Sequence, residues 1–339
     1  DLTVFGAIAY PQIIVFRNAP PPAEHTVRAL TVTDMSAVEQ LGEVVQAEAW
    51  TQPRESLRAD GWTLVRPSLL DLVDKIRCAG TSLGEYVHGK FYRGLTTGCN
   101  GAFVISCGER IRIISQEPQA DRIIKPWLRG RDLKRWAVDW NGLYVIHVPW
   151  DFSPKEYPVI FEHLARFEKQ LKDRPEVEQG RFPWYAMSRY AAQYVDDFAR
   201  PKIVYPDIAK RPEFAYDISG AFGGNTMYII PTEETYLLGI LNSRVIHYYY
   251  SQISSTIQQG YLRFIATYME RLPIPIPTAG QRAAIEGLVT QLLALHREGR
   301  PPATQVAALE AELNAQVYAV YDLTRAEIAV VEAATGQQP

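Results

Sequence analysis

Ten basic side chains fall between Lys90 and Trp140: Lys90, Arg93, Arg110, Arg112, Arg122, Lys125, Arg129, Arg131, Lys134 and Arg135. Only five acidic ones accompany them (Glu109, Glu117, Asp121, Asp132, Asp139), and Tyr and Trp are interleaved with the cations. A cationic surface studded with planar side chains suits a polyanion whose grooves must be read. The plainer alternative is a strand-rich core whose Arg and Lys stems cover apolar surface. Other chemistries are less well provided for. Asp132-Leu133-Lys134 has the acid-x-Lys spacing of a metal-dependent nuclease and Pro206-Asp207 fits its first acid, but the order is reversed and a partner acid is missing. His88, His147, His163 and His247 are scattered and read as core or surface residues, and no Ser/His/Asp set is discernible. Cys78, Cys99 and Cys107 lack CxxC spacing, so a structural zinc site is not expected, and the sparse count suits a reducing cytoplasm.

Binding is the chemistry that remains. Phosphate contacts would supply affinity, and side chains reaching base edges would supply sequence choice. Arg is the efficient reader of guanine, Asn or Gln of adenine. The candidates in polar stretches are Lys90, Arg93, Lys125, Arg129, Arg131, Lys134 and Arg135 from the central region. Tyr185, Arg189, Lys210, Arg211 and Asn225 follow from the second half, and Gln258, Gln259 and Arg263 from a glycine-containing loop. No catalytic or metal-ligating residue is assigned.

The same stretch carries an ordered set of motifs. Gly94-Leu95-x-Thr97-Gly98-x-Asn100-x-Ala102-Phe103-Val104-Ile105 precedes Lys125-Pro126-x-Leu128-Arg129-Gly130-x-Asp132-Leu133. Then come Pro158 to Arg174, Trp184-Tyr185, Lys202-Ile203-Val204-Tyr205-Pro206, Leu237-Leu238-Gly239-Ile240-Leu241-Asn242-Ser243 and Arg271-Leu272-Pro273-Ile274-Pro275. Over roughly residues 60–335 this order resembles the TaqI-like specificity domain, the target recognition module of adenine-specific DNA methyltransferases and type IIG restriction–modification enzymes. The resemblance implies a double-stranded DNA partner and a parent that uses S-adenosylmethionine for methylation and Mg²⁺ for cleavage. It implies that Thr97, Gly98, Asn100, Lys125, Gly130 and Asp132 maintain the scaffold. It also implies a type I specificity subunit as an alternative parent, which one recognition unit preceded by methyltransferase-like strands argues against. A further alternative is a nuclease acting through Asp132 and Lys134.

The methyltransferase machinery is not expected within these residues. Asn18-Ala19-Pro20-Pro21-Pro22 lacks the aromatic of a catalytic Pro-Pro loop. Gly220-Ala221-Phe222-Gly223-Gly224 reads as a turn within a hairpin over 217–230 rather than as a cofactor loop. The chain is expected to need the rest of its parent for methyl transfer.

Composition agrees with a soluble, cytoplasmic module. The 339 residues are 47% hydrophobic and 22% charged with net charge −3. Residues 1–60 carry four basic and eight acidic side chains, residues 278–339 four and seven, so the middle holds 27 basic against 23 acidic. The cationic part is the part that resembles the recognition module. The early apolar run from Val4 to Phe16 is broken by Pro11 and is too short for a membrane span.

Three regions follow, with an α+β fold of mainly antiparallel sheets in two lobes plus a C-terminal helical hairpin. Residues 1–60 read as the end of a methyltransferase domain and a linker, with a hairpin over 2–17, a strand over 27–32 and a helix over 34–46 capped by Asp34. Residues 61–277 form the recognition domain. There Ser68 caps a helix, strands run over 103–106, 111–115 and 143–147, and Thr97 to Gly101 has hairpin-turn chemistry. A helical stripe begins at Pro158, strands cover 202–205 and 227–230, and one helix spans 235–250. Residues 278–339 open with the capping box Thr278-x-x-Gln281, and Thr324-x-x-Glu327 caps a last helix. Oligomerisation through this tail is left open.

Overall fold

The computed structural model describes residues 13–22, 24–32, 36–57, 59, 62, 64, 66–254, 256–257 and 260–336. The fold is α+β. Its centre is a four-stranded antiparallel sheet in the order Ala215–Asp217, Lys202–Pro206, Met227–Pro231, Tyr92–Arg93. The two long strands are buried on both faces, which a strand can be only when each face has its own core to fill. Side chains alternate accordingly. Ile203, Tyr205, Tyr228 and Ile230 enter one hydrophobic cluster, and Val204, Met227 and Ile229 enter the other. The period-2 geometry of one sheet therefore divides the molecule into two lobes.

The first lobe packs the helix Pro67–Cys78, the helices Thr235–Leu241 and Arg244–Ile253, and the C-terminal helices Ala279–Arg297, Ala303–Val320 and Arg325–Thr335 against the sheet. Leu72, Val73, Ile285, Leu292, Leu313 and Val317 are buried there, so the apolar stripes of the tail are covered within the chain. Tyr248, Tyr249 and Tyr250 are all buried.

The second lobe is built on another four-stranded sheet: Phe222–Gly223, Ile124–Leu128, Leu143–Ile146, Val104–Ser106. Phe222–Gly223 runs parallel to Trp127 and Leu128, while the other pairs are antiparallel. The helix Pro158–Ala165 covers it, with Ile160 and Leu164 buried. His163 is buried and His147 half-buried, and their Nε2 atoms meet the Ala102 carbonyl at 2.9 Å and the Tyr190 carbonyl at 3.0 Å, respectively. Burial holds both below the ordinary histidine pKa.

Several local expectations are corrected. Residues 111–115 are helical, inside Cys107–Gln116, because Ser106 and Glu109 form a reciprocal capping box that starts a helix ahead of the β-branched run. Ser68 is not the cap of its helix: Pro67 occupies the first turn and Arg66 precedes it. The helix expected over 235–250 is two, since the Ser243 hydroxyl accepts from the Ile246 N–H and restarts the ladder after Leu241. Thr97 to Gly101 is not a hairpin turn but leads into the single helical turn Asn100–Phe103. Residues 13–16 lie outside any strand, and the remainder of the hairpin expected over 2–17 falls largely outside the described residues, as does Asp34. The early strand is Thr26–Ala29, paired with Trp50–Pro53. Both capping boxes of the tail form, at Thr278 and Thr324. No described helix is long and apolar enough to cross a membrane.

Candidate nucleic-acid interface

The expected hairpin over 217–230 is a bridge between the two sheets. The chain leaves Ala215–Asp217 in the central sheet, enters the second sheet at Phe222–Gly223, and returns to the first at Met227–Pro231. The tip of this bridge, Gly224-Asn225-Thr226, is held from three sides. The Gly224 N–H donates to the Leu128 carbonyl at 2.9 Å, the Asp207 N–H to the Thr226 carbonyl at 2.9 Å, and the Gly130 N–H to Thr226 Oγ1 at 3.0 Å. On the remaining edge the Leu95 N–H donates to the Gly223 carbonyl at 2.7 Å. A Cβ on Gly94 would stand 2.1 Å from the Gly224 carbonyl oxygen, so only glycine admits this approach.

Two adjoining depressions open at this junction, of about 550 Å³ and about 280 Å³, sharing Arg131 and Thr226. The larger is lined by Arg131, Lys134, Asp207, Lys210, Arg211, Glu213 and Tyr261. The smaller is lined by Asn100, Trp127, Arg129, Arg131, Gly224 and Asn225. Arg93 and Arg263 reach the same place through Asp207, to which both are ion-paired, at 3.3 and 3.5 Å. Eight of the candidates, Arg93, Arg129, Arg131, Lys134, Lys210, Arg211, Asn225 and Arg263, thus converge from separate segments of the chain.

The cations in this cluster are held differently. Arg131 and Lys134 are exposed and have no ion-pair partner among the described residues. The Lys210 ammonium lies over the Tyr261 ring, 5.6 Å from its centroid. Arg129 is pinned: its Nε and Nη2 donate to the two carboxylate oxygens of Asp132 at 2.8 and 2.7 Å. Burial would raise the Asp132 pKa, but the Arg129 side-chain and backbone donors and Asn141 outweigh it and hold the carboxyl below its ordinary range. The scaffold reading of the motif residues is visible in the same contacts. Thr97 Oγ1 donates to Asn100 Oδ1 at 2.7 Å, and Gly98 has φ +77° with Ser188 and Arg174 packed where a Cβ would stand.

The remaining candidates lie elsewhere. Arg135 is a structural residue: its Nε is 2.7 Å from Glu310 Oε1 and its Nη2 donates to the Asn242 carbonyl at 2.6 Å. Tyr185 packs among Phe152, Phe161 and Trp184 in the second lobe. Lys125 is half-buried on its strand, paired with Val145. Lys90 is exposed on the turn before Tyr92–Arg93. Arg189 is exposed, its backbone paired with Thr96 on the far side of the 94–96 strip. Gln258 and Gln259 lie outside the described residues.

Thr226 and Tyr261 were selected by no motif, and Asp207 was met only as the first acid of a nuclease pattern, not as part of a binding site. Asp207 had a usable signal, since a carboxylate following a fully buried strand must find cationic partners when buried itself. Asp132 and Asp207 are each occupied by arginine, and no group of three or more His, Cys, Asp or Glu gathers among the described residues.

Comparison with known proteins identifies one region of the chain. The model of the TaqI-like C-terminal specificity domain matches residues 125–274. The type II methyltransferase M.BanIII of Aneurinibacillus aneurinilyticus is 30% identical over 146 residues, covering 41% of this chain and 25% of that protein. The type II methyltransferase M.XhoI of Xanthomonas vasicola is 26% identical over 279 residues, covering 77% of this chain and 47% of that protein. The chain therefore spans a quarter to about half the length of these curated relatives. Among solved structures, the type IIL restriction–modification enzyme MmeI, determined in complex with DNA, matches with a TM-score of 0.52 at 15% identity. That match covers 71% of this chain and 34% of the other, and at such identity it is a likeness of fold. Residues 125–274, which hold most of the cationic cluster and three of the four strands of the central sheet, match the TaqI-like C-terminal specificity domain.

Proposed function

We propose that this chain is the double-stranded DNA recognition module of a type IIG restriction enzyme and N6-adenine methyltransferase. The observation that carries the reading is the convergence of eight candidate side chains on the junction between the two sheets, on a chain of net charge −3. Their grouping is what a duplex requires: unpaired cations (Arg131, Lys134, Lys210, Arg211) for phosphates, and anchored polar groups (Arg93, Asn225, Arg263) for base edges. Bound there, the module would present one adenine to the catalytic domain of its parent, which would flip the base out before transferring a methyl group. S-adenosylmethionine is assigned to that domain. The glycine-rich segment 220–224 runs from strand to strand with no helix behind it and does not fit the glycine-rich strand-to-helix turn that would cradle the cofactor. Mg²⁺ for cleavage is likewise assigned to the rest of the parent.

The test is a salt series. Fluorescence anisotropy with labelled duplexes of random sequence should show binding at low ionic strength, with log affinity falling linearly against log salt. A chain that leaves duplex DNA free in dilute buffer is not a recognition module.

A further inference from the structure

Asp207 is buried, follows directly on the strand Lys202–Pro206, and stands between two arginines. Arg93 comes from the edge strand Tyr92–Arg93, and Arg263 from the strand Tyr261–Arg263 of a small three-stranded sheet. Both backbones are fixed. The Arg93 carbonyl accepts from the Tyr194 hydroxyl at 3.0 Å, the Arg263 carbonyl accepts from the Tyr250 hydroxyl at 2.5 Å, and the Phe264 N–H donates to the Asp207 carbonyl at 2.8 Å. The guanidinium of Arg93 is fixed as well. Its Nε donates to the Asn225 carbonyl at 2.8 Å and its Nη2 to Asp207 Oδ2 at 3.3 Å, with the Tyr228 ring centroid 5.9 Å away. The Nε–Nη2 edge is thus given to the protein, and the terminal Nη1–Nη2 edge is left for a ligand. Arg263 faces the same carboxylate more loosely, its Nε standing 3.5 Å from Asp207 Oδ1 as an ion pair without a hydrogen bond.

We propose that Asp207 is a positioning residue that holds Arg93 and Arg263 end-on as a paired reader of guanine in the recognised site. This rests on the chain being a duplex-reading module, and it names what that module reads. A terminal guanidinium edge offers two parallel donors, which match either a phosphate or the O6/N7 pair of guanine. Charge and geometry decide between them. Attraction to phosphate scales with the number of cations, and a buried carboxylate between two arginines cancels half of their charge. Readout of a base needs a fork held in one orientation, and that is what the carboxylate supplies. Arg131, Lys134 and Arg211 of the same cluster are ion-paired to nothing among the described residues and already provide the phosphate-seeking kind of cation.

Selection of bound duplexes from a random pool tests the inference on the whole chain, using the wild type and the variants Asp207→Asn, Arg93→Lys, Arg93→Ala and Arg263→Lys. The wild type is expected to enrich a motif containing a G·C pair. Arg93→Lys keeps the charge and loses the fork, so it should lose preference at that pair by about ten- to a hundredfold. Its low-salt affinity for unrelated duplex should stay within about twofold. Asp207→Asn should show the same relaxation, and if that variant does not fold, the Arg93→Lys result decides alone. An unchanged motif in Arg93→Lys overturns the inference. A uniform loss across all sequences in Arg93→Ala with the motif intact also overturns it, by making Arg93 a phosphate contact, and leaves the recognition-module reading standing. A wild type that binds no duplex overturns both.

Discussion

Arg129 and Asp132, three residues apart, are joined by both arms of the guanidinium, at 2.8 and 2.7 Å, and the Arg129 backbone N–H reaches the same carboxylate at 2.9 Å. Asn141 Nδ2 adds a fourth contact at 3.0 Å, so Asp132, 2% exposed, has every oxygen engaged. This closed turn separates two arginines that sequence treats alike. Arg129 is folded back into the scaffold, and Arg131, two positions on, is turned out to solvent over both depressions.

Charge reversal should therefore act differently at the two positions. Arg131→Glu, alone or with Lys134→Glu, should weaken duplex binding across sequences and lower the salt slope by about one charge per site. Stability should stay within about 0.5 kcal/mol of the wild type. Asp132→Ala leaves a partly buried guanidinium uncompensated and should cost about 3 kcal/mol. Anisotropy titrations and urea unfolding separate the two effects. Equal affinity losses from Arg129 and Arg131 variants at unchanged stability would contradict the division.

The long strands and the tail were legible because their patterns are local. Lys202–Pro206 and Met227–Pro231 are short, mostly apolar runs bounded by turn residues, and the tail has helical periodicity with two capping boxes. Residues 111–115 misled because β-branched residues argue for a strand, while the deciding signal, Ser106 with Glu109, lies upstream. The site was half legible. Residue type placed Arg93, Arg131, Lys210 and Asn225 among the candidates, but their meeting depends on Phe222 and Gly223 joining a second sheet, which no local spacing announces. Arg135 misled for the opposite reason, because its partner Glu310 lies on the C-terminal helix.

That partnership yields the second prediction. Glu310 Oε1 accepts from Trp136 Nε1 at 2.7 Å and stands 2.7 Å from Arg135 Nε, while Trp136 sits at φ +70°, a conformation bulky residues rarely adopt. The tail thereby fixes the end of the hairpin that carries Lys134. Glu310→Ala strands a buried guanidinium and an indole N–H and should destabilise by about 3 kcal/mol. The apolar pair Arg135→Met with Glu310→Leu should recover most of that loss, because no charge is then left buried. A double variant as unstable as Glu310→Ala would mean that packing, not charge, holds the contact.

Stability should also depend on pH in a defined window. His247 is buried beside Arg135, Arg211 and Arg244 and is brought down to about 4, chiefly by desolvation and then by those three charges, with a hydrogen bond to the Lys210 backbone opposing. A histidine whose folded pKa lies below its unfolded value of about 6.5 favours the native state above that value, and the advantage is lost as pH falls from about 6.5 towards 4. The difference amounts to roughly 3 kcal/mol, and His147 and His163 act in the same direction. Asp132 contributes only below this window, since its folded pKa lies under the ordinary carboxylate value. Urea midpoints should fall between pH 7 and pH 4.5, and His247→Gln should flatten the decline. A profile that is level over this range, or one unchanged by the substitution, would remove His247 from the account.

Two glycine substitutions should move stability in opposite directions. On Gly94 a Cβ would stand 2.1 Å from the Gly224 carbonyl oxygen and 2.5 Å from that of Gly223, backbone against backbone, so neither side can yield by turning a rotamer. Gly94→Ala must part the strip from the bridge tip, which carries the Asn225 carbonyl away from Arg93 Nε. It should cost about 3 kcal/mol or more and weaken duplex binding beyond what the unfolded fraction explains. Gly287 lies on the exposed face of the helix Ala279–Arg297, where an added methyl would meet no atom within 4 Å. Gly287→Ala should therefore stabilise by up to about 1 kcal/mol and leave binding unchanged. Unfolding and anisotropy on the same preparations check both. A Gly94→Ala chain that folds and binds like the wild type would show that the contact between strip and bridge does not set the geometry of Arg93.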